Sequence, residues 1–440
     1  MSEVIETVEH QQWQFHPSVK PSAGYVFGTD ATNRSTAKDF GLRFASNLAN
    51  PYTEIKIGPF VGLVNLPGTD GGLIVARSKP KQFAGKTMDY AAMFDFCMGD
   101  ATVAQRMENC FFVWTDEDQI EVDKDENFTD LLILAFVNEL HSLCLRHLRQ
   151  RAVRRTETLV GKVKGRILVA PQIRQNLAVN RPDRMDCSFF EQTRDCRENQ
   201  ILRSALEVAA SWMRKMGRDH ANLRDKMQFC RNALDGVSIR RIHPREFLGI
   251  RYAGAFQHYR QPHGLAKAVL FSLGINPEDR SAAAQTERVY PFVLCTFELF
   301  ERFTEAVLRR QFKAEQLWVG YRNQNLADGG YSVRPDMIVI ANDGTPFIID
   351  AKYRVNDGDN GDAYKSVAYA YHFGVIDKTN SLLSENNYDP EANIDKRKSV
   401  LLYPNLVVQG DQNYKIDFNG HTDVGFKRLI KMTIDCPMKS

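Results

Sequence analysis

The sequence predicts an α/β protein (α+β overall) with a β-rich N-terminal segment, a helical middle segment and a C-terminal α/β segment. Three observations support this prediction. Short apolar runs such as IKIGPFVGLV and GGLIVA, separated by the turn residues LPGTD, indicate strands between residues 50 and 125. A segment with apolar residues at helical spacing begins at residue 129. After residue 288, a helix, a hairpin, a second helix and two strands follow one another, which is typical of an α/β domain.

We therefore predict three domains, covering residues 1–128, 129–280 and 281–440. In the middle domain, TDLLILAFVNELHSLCLRHLRQ and DCRENQILRSALEVAASWMRKMG have the apolar spacing of helices. The polar stretch INPEDRSAAAQTER, residues 275–288, marks the boundary to the last domain. We expect the helix that opens the last domain to cover residues 289–312.

The overall charge and the cysteines limit the possible functions. A net charge of +3 over 440 residues gives no global basic field, so nucleic-acid binding would depend on local patches. The eight cysteines form no CxxC pair, which disfavours a zinc site and indicates reduced thiols in a cytoplasmic protein. We expect no membrane span, because no run of about 18 apolar residues occurs, and no signal peptide, because the N-terminus lacks an apolar h-region.

A basic segment follows the first helix of the middle domain. Its members include Arg154, Arg155, Lys164 and Arg166. These residues favour either a solvated, cationic helix end or a contact with DNA phosphates or an acidic protein partner. The sequence leaves these alternatives open.

The segment RPDMIVIANDGTPFIIDAKYR, residues 334–354, contains two short apolar strands joined by the turn NDGT. Pairing about this turn brings Asp336 beside Asp350, and Lys352 shares a strand face with Asp350. Two adjacent carboxylates repel each other unless a cation lies between them, and Mg²⁺ prefers such oxygen ligands. Lys352 can stabilise charge on a phosphate or help to orient or deprotonate a water. The arrangement suits phosphodiester hydrolysis.

The preceding helix offers a third acid. Glu298, Glu301 and Glu305 fall within an arc of about 60° at 100° per residue. For each of these glutamates a solvated acidic stripe is the alternative, and for the hairpin it is an ordinary surface Asp–Lys pair. The complete order is rarer by chance: a helix with glutamate, then x-P-D, then 13 residues, then D-x-K. This order favours a nuclease.

The hairpin motifs resemble the PD-(D/E)xK nuclease core, which implies a restriction-endonuclease-like C-terminal domain. FELFERF resembles the L-F-E-x-F helix of the McrC family, the nuclease subunit of McrBC-type (5-methylcytosine) modification-dependent restriction systems. The resemblance continues in the same chain order through VGKVKGRILV, MDCSFFEQTRDCRENQILRSAL and DAYKSVAYAY. It implies that Asp336 and Asp350 hold Mg²⁺, that Lys352 is catalytic and that Glu301 is the helix acid.

The resemblance also implies that Asp362 and Tyr369 flank the site. The chain departs from the family pattern at two of the candidate contact residues. Lys365 stands where the family usually has Gln, and Lys164 replaces the first Arg of R-G-R-I. These departures affect the expected contacts with DNA or with a partner.

The implied function is a Mg²⁺-dependent DNA endonuclease that acts on modified double-stranded DNA together with an AAA+ McrB-like GTPase or ATPase. The β-rich first domain would dock onto this partner. We expect no nucleotide on this chain itself, because it lacks the GxxxxGK(S/T) motif. The alternatives are a non-catalytic adaptor that activates the NTPase and keeps a vestigial nuclease site, and a repair nuclease of the RecB/Cas4 type.

Overall fold

The protein is described by a computed structural model. The described residues are 4–8, 14–16, 43–47, 50–56, 60–67, 73–80, 82–83, 85–107, 110–116, 119–123, 128–146, 148–216, 221–272, 286–320, 326–328, 331–353, 360–393, 396–408, 414–418, 422–423 and 429–438. The predicted turn at residues 68–70 and residues 275–285 of the predicted boundary lie outside this set.

The chain forms two compact units. The first unit combines Met1–Leu134, His220–Asn222 and Gln285–Ser440, and the second combines Ala135–Asp219 with Leu223–Ala284. The first unit thus contains both segments that the sequence suggested as separate N-terminal and C-terminal domains.

The N-terminal part of the first unit is rich in strands, as predicted. In chain order the strands are β1 (Val4–Val8), β2 (Gln14–His16), β3 (Arg43–Asn47), β4 (Asn50–Lys56), β5 (Phe60–Pro67), β6 (Leu73–Lys79), β7 (Gln82–Phe83), β8 (Lys86–Thr87), β9 (Phe111–Val113) and β10 (Ile120–Asp123). Two helices, α1 (Tyr90–Met98) and α2 (Ala101–Ala104), follow β8. Each begins after an aspartate that accepts backbone N–H groups, Asp89 from Ala92 and Asp100 from Thr102 and Val103.

The second unit is mainly helical and also contains a small antiparallel sheet. Helix α3 (Phe128–Leu145) begins in the first unit and continues into the second. The elements that follow it are β11 (Arg151–Val160), β12 (Arg166–Ile167), α4 (Val169–Pro171), β13 (Arg184–Thr193), α5 (Arg197–Met216), α6 (Ala221–Ala233) and α7 (Arg260–Ser272). The sheet has the order β11–β13–β12. The predicted helices are α3 and α5, and the basic segment after α3 is strand rather than helix end.

The C-terminal part of the first unit is an α/β layer. Its strands are β14 (Thr286–Val289), β15 (Phe292–Cys295), β16 (Leu317–Val319), β17 (Leu326–Asp328), β18 (Tyr331–Val333), β19 (Met337–Ile340), β20 (Pro346–Ala351), β21 (Lys398–Val408), β22 (Thr422–Asp423) and β23 (Leu429–Met438). Its helices are α8 (Thr296–Gln311), α9 (Asn360–Tyr371), α10 (Phe373–Glu385) and α11 (Pro390–Asn393).

The main sheet of this layer has the order β16–β19–β20–β21–β23–β22. β20, β21 and β23 run parallel, and the flanking pairs are antiparallel. The chain crosses from β20 to β21 through α9, α10 and α11, as a parallel connection requires. The central strands are buried and apolar, for example at Ile338, Ile348 and Val400. The predicted α/β class is therefore confirmed.

The predicted helix over residues 289–312 is wrong in its first turns. Helix α8 begins only at Thr296, and the four buried residues before it form strand β15. β15 lies between β5 and β9 and pairs with both in antiparallel register. A short, fully apolar run does not distinguish a buried strand from a helix by periodicity, which explains the error. Among the described residues, no helix is long and apolar enough to cross a membrane.

Gly62 makes the pairing of β5 with β15 possible. A Cβ atom at Gly62 would lie 2.1 Å from the carbonyl oxygen of Phe292 and 2.8 Å from Cα of Val293.

We expect Gly62→Ala to lower the free energy of unfolding by about 1–3 kcal/mol, because the backbone atoms cannot move aside cheaply. Urea unfolding measures this change. Gly264→Ala in α7, where a Cβ meets no atom within 4 Å, is the control and should cause no loss. Equal effects of the two substitutions would contradict the prediction.

Candidate active site

The β19–β20 hairpin places the two predicted aspartates opposite each other. Met337 pairs with Ile349, so Asp336 and Asp350 occupy the next facing positions, where β19 begins and β20 ends. The turn closes as the NDGT motif predicts: Gly344 has φ +79°, and Thr345 N–H donates to Oδ1 of Asp343 at 2.9 Å. Local turn chemistry therefore fixes the register that brings the carboxylates together.

Backbone and lysine donors hold the two carboxylates. Oδ2 of Asp336 accepts a 2.7 Å hydrogen bond from the backbone N–H of Ala351. Asp350 is 4% exposed, and its Oδ2 lies 2.7 Å from Nζ of Lys352. Among the residues that the structure describes, no hydrogen bond reaches this buried oxygen, so the contact is an ion pair and the oxygen keeps acceptor capacity.

Lys352 is held from several sides. Its ammonium lies 3.5 Å from Oδ1 of Asp362 on α9, and its backbone N–H donates to Leu402 on β21 at 2.8 Å. The next residue, Tyr353, is buried and its hydroxyl contacts that of Tyr90 at 2.6 Å. These contacts fix the end of β20, and with it the direction of the lysine.

The site is electrostatically strained. Packing around the carboxyl, followed by the charges of Glu301 and Asp350, raises the pKa of Asp336 well above its ordinary value, although part of the residue is exposed. Burial and then Glu298 raise the pKa of Glu301 to about 7, with a further contribution from Asp350, while Arg302 and Arg334 lower it. Glu301 therefore shares an acidic environment with the hairpin carboxylates.

The three glutamates of α8 have different surroundings, and none belongs to a solvated stripe. Glu305 is fully buried and accepts from three arginines. Glu298 is 9% exposed. The side chain of Glu301 is 20% exposed and lies 3.4 Å from the guanidinium of Arg302. The charge of Glu301 interacts with those of Asp336 and Asp350, whereas Glu305 is held by arginines.

Lys365 and Tyr369 form a pair on α9. Nζ of Lys365 lies 5.5 Å from the ring centroid of the buried Tyr369. Partial burial lowers the pKa of Lys365, but the Tyr369 hydroxyl and the charges of Asp350 and Asp336 raise it above its ordinary value. The Lys365 ammonium therefore interacts electrostatically with the carboxylates of Asp336 and Asp350.

The four basic residues proposed to contact DNA or a partner lie in the second unit, on β11, on β12 and between them. Arg155 and Lys164 both approach Glu191, at 2.6 Å and 3.9 Å. Nε of Arg154 donates to Ser188 at 2.7 Å, and Arg166 is exposed. Much of the charge of this segment is thus already paired within the sheet. Its contact with DNA or with a partner stays a prediction.

The donor set fits Mg²⁺ better than a metal with a protein-only shell. Asp350 retains a buried oxygen without a hydrogen bond, and the Asp336 carboxylate adjoins it. Within the described residues, no group of three or more His, Cys, Asp or Glu side chains is arranged to hold a metal ion. Mg²⁺ commonly binds through one or two carboxylates and completes its shell with water and substrate phosphate.

Sequence analysis missed the arginines that surround the helix acids. Arg302 is 3% exposed and contacts both Glu301 and Glu305. Its only sequence signals are its place directly after Glu301 and three residues before Glu305, and a surface ion pair gives the same spacing. The burial that makes this arginine important cannot be recognised from spacing alone.

Comparisons with known proteins assign a family. The family model described as "McrBC 5-methylcytosine restriction system component" matches residues 55–383. A refined half-complex from a tetradecameric assembly of Thermococcus gammatolerans McrB AAA+ hexamers with bound McrC is similar at 16% identity, covering 99% of this chain and 94% of that chain with a TM-score of 0.37. The cryo-EM structure of the Thermococcus gammatolerans McrBC complex is similar at 18% identity, covering 70% and 87% with a TM-score of 0.32. Curated proteins give no match.

The raised pKa of Glu301 predicts a pH-dependent stability difference. The Glu301 carboxyl binds its proton more tightly in the folded protein than in the unfolded chain. The stability that this proton contributes is therefore fully present below the ordinary pKa of 4.5, and it is lost as the pH rises through about 7. We expect Glu301→Gln, which is always neutral, to raise Tm by a few degrees at pH 8, and this gain should shrink towards pH 5. Thermal melts in EDTA measure it. Exposed Glu391→Gln is the control. A gain that is the same at both pH values would refute the prediction.

Proposed function

Because this chain belongs to the family of McrBC 5-methylcytosine restriction system components, we propose that it is the Mg²⁺-dependent DNA endonuclease subunit of a McrBC-type complex. One observation carries the nuclease part of the proposal. Asp336 and Asp350 face each other at the end of a hairpin, with the Lys352 ammonium 2.7 Å from Asp350. A surface Asp–Lys pair would need neither the burial nor the second carboxylate.

The residues have distinct roles in this proposal. Asp336 and Asp350 would hold Mg²⁺, and Glu301 is the third acid. The bound ion supplies a more acidic water and polarises the phosphate. Lys352, oriented by Asp350 and Asp362, stabilises the negative charge that grows on the phosphate being cleaved. Lys365 offers a second cation, beside Tyr369, for the DNA backbone.

The NTP hydrolysis that drives movement along the DNA comes from a partner in this proposal. The Thermococcus gammatolerans structure contains McrB AAA+ hexamers with bound McrC. We propose that this chain acts with a comparable AAA+ GTPase or ATPase, because its own sequence has no nucleotide-binding P-loop motif. The partner would recognise modified double-stranded DNA, and this chain would dock through its β-rich N-terminal part and cut.

A non-catalytic adaptor is the second candidate. The family match identifies a restriction system component, a description that an adaptor also fits. In that case the chain stimulates the partner's NTP hydrolysis, and the hairpin is a vestige of the fold. Cleavage and NTP turnover, measured in the same reaction, separate the two candidates.

We expect Asp350→Ala and Lys352→Ala to abolish cleavage of methylated plasmid while NTP hydrolysis by the AAA+ partner is still stimulated. The reason is that both side chains act at the phosphate in this proposal and lie outside the N-terminal part that docks onto the partner. The assay combines the full chain, its AAA+ partner, Mg²⁺ and GTP or ATP, with unmethylated plasmid in parallel. Asp377→Ala, which removes an exposed aspartate on α10, is the matched control and should cut like the wild type.

Undiminished cleavage by Asp350→Ala would refute the site. Stimulated NTP hydrolysis without cleavage by the wild type would establish the adaptor instead.

A further inference from the structure

A cluster of charged side chains in the first unit adjoins Glu301 of the candidate site through Arg302. Its centre is Glu305 on α8, which is fully buried. Arg106 and Arg309 each donate to Oε1 of Glu305 at 2.9 Å, and Arg302 donates to Oε2 at 2.7 Å. We call these four side chains the Glu305 cluster.

Charge is unevenly distributed within the Glu305 cluster. Three guanidinium groups meet one carboxylate, and Arg302 is only 3% exposed, so water screens it little. A buried cation is tolerated when further carboxylates compensate it. The second arm of Arg302 lies 3.4 Å from Oε2 of Glu301. This arm extends from the basic cluster towards the acidic site.

Charge is uneven in the opposite sense at the site. Glu301 feels the carboxylates of Glu298 and Asp350, and Asp336 feels those of Glu301 and Asp350. A carboxylate in such surroundings turns away or takes up a proton unless a cation holds it. Arg302 is the arginine that contacts Glu301 in the described structure, and its other arm is anchored on Glu305.

The spacing on α8 explains how Arg302 reaches Glu305, and the length of its side chain lets it also reach the adjacent Glu301. Glu301 and Glu305 are four residues apart and lie on the same helix face, and Arg302 is the neighbour of one and three residues before the other. The planar guanidinium presents donors in a fork, which lets it contact two carboxylates at once.

We infer that Arg302 is a positioning residue, which holds the Glu301 carboxylate at the candidate site by a guanidinium fork anchored on buried Glu305. The inference rests on the proposed endonuclease function. A role limited to stability is the competing explanation, because breaking a buried ion pair destabilises any protein.

A double-mutant cycle separates the two explanations. The variants are Arg302→Met, Glu301→Gln and the double substitution, all assayed in the full chain with its AAA+ partner, Mg²⁺ and methylated plasmid. Arg309→Met is the matched control, because Arg309 also donates to Glu305 but sits about two turns further along α8 from Glu301. Arg302→Lys is included in case the methionine variant does not fold, since lysine keeps the charge and loses the fork.

We expect Arg302→Met to lower kcat roughly 10- to 100-fold, the usual cost of losing a partner that orients a functional group, with KM unchanged. Arg309→Met should lose comparable thermal stability and keep its kcat. Arg302→Lys should fold and still show the lower kcat. In the Glu301→Gln background, Arg302→Met should change kcat by no more than about twofold, because Arg302 acts through Glu301.

The same cycle is also read without activity, from the Kd for Mn²⁺ alone by electron paramagnetic resonance. Arg302→Met and Glu301→Gln should each weaken binding, and the double variant should bind like Glu301→Gln. This readout replaces kcat if Glu301→Gln leaves no measurable cleavage. If Arg302→Met lowers kcat or Mn²⁺ affinity by the same factor with and without Glu301, the inference is overturned and Arg302 is structural only.

The outcome also distinguishes this inference from the proposed function. A wild type that cuts, an Asp350→Ala variant that does not, and independent effects of Arg302 and Glu301 would remove the inference alone. A wild type that neither cuts nor binds Mn²⁺ would remove the proposed function and this inference with it.

Discussion

Repulsion between carboxylates is the constraint on which the end of the β19–β20 hairpin depends. Asp350 is buried and faces the half-buried Asp336, and Glu301 adds to their field. The surrounding groups offset this repulsion: the backbone N–H of Ala351 on one carboxylate and the Lys352 ammonium on the other. The hairpin end therefore keeps two facing carboxylates in place while retaining its acidic character.

Helix α8 shows that surroundings, and not residue type, decide what a glutamate does. Glu305 is saturated by three arginines and serves the interior. Glu301, one turn earlier, lies 3.4 Å from Arg302 and has a pKa raised to about 7. Groups with strongly perturbed pKa values are typical of functional sites, whereas a fully paired carboxylate is typical of a structural one. Helix α8 thus carries one buried, fully paired carboxylate and one carboxylate whose charge interacts with those of the hairpin.

Much of the candidate site could be predicted because it is local in sequence. The NDGT turn sets the register, and the register places Asp336 beside Asp350. The rest depends on contacts between distant segments. Strand β15 looked like the first turns of α8, because its role as a central strand comes from β5 and β9. The burial of Glu305 could not be predicted, because one of the arginines that pair with it, Arg106, is far away in the sequence. The first unit likewise combines N-terminal and C-terminal segments that are far apart in the sequence.

The place of β15 between β5 and β9 has a consequence for synthesis on the ribosome. Both neighbours emerge early, but the strand that joins them follows only after residues 114–291, which include the whole second unit. The five-stranded sheet therefore closes through a contact of long sequence separation, the slow kind in folding. Until β15 is made, β5 and β9 each have an edge without its final partner strand, and unpaired strand edges favour aggregation. The ribosome makes the second unit, apart from the short segment His220–Asn222, during this interval.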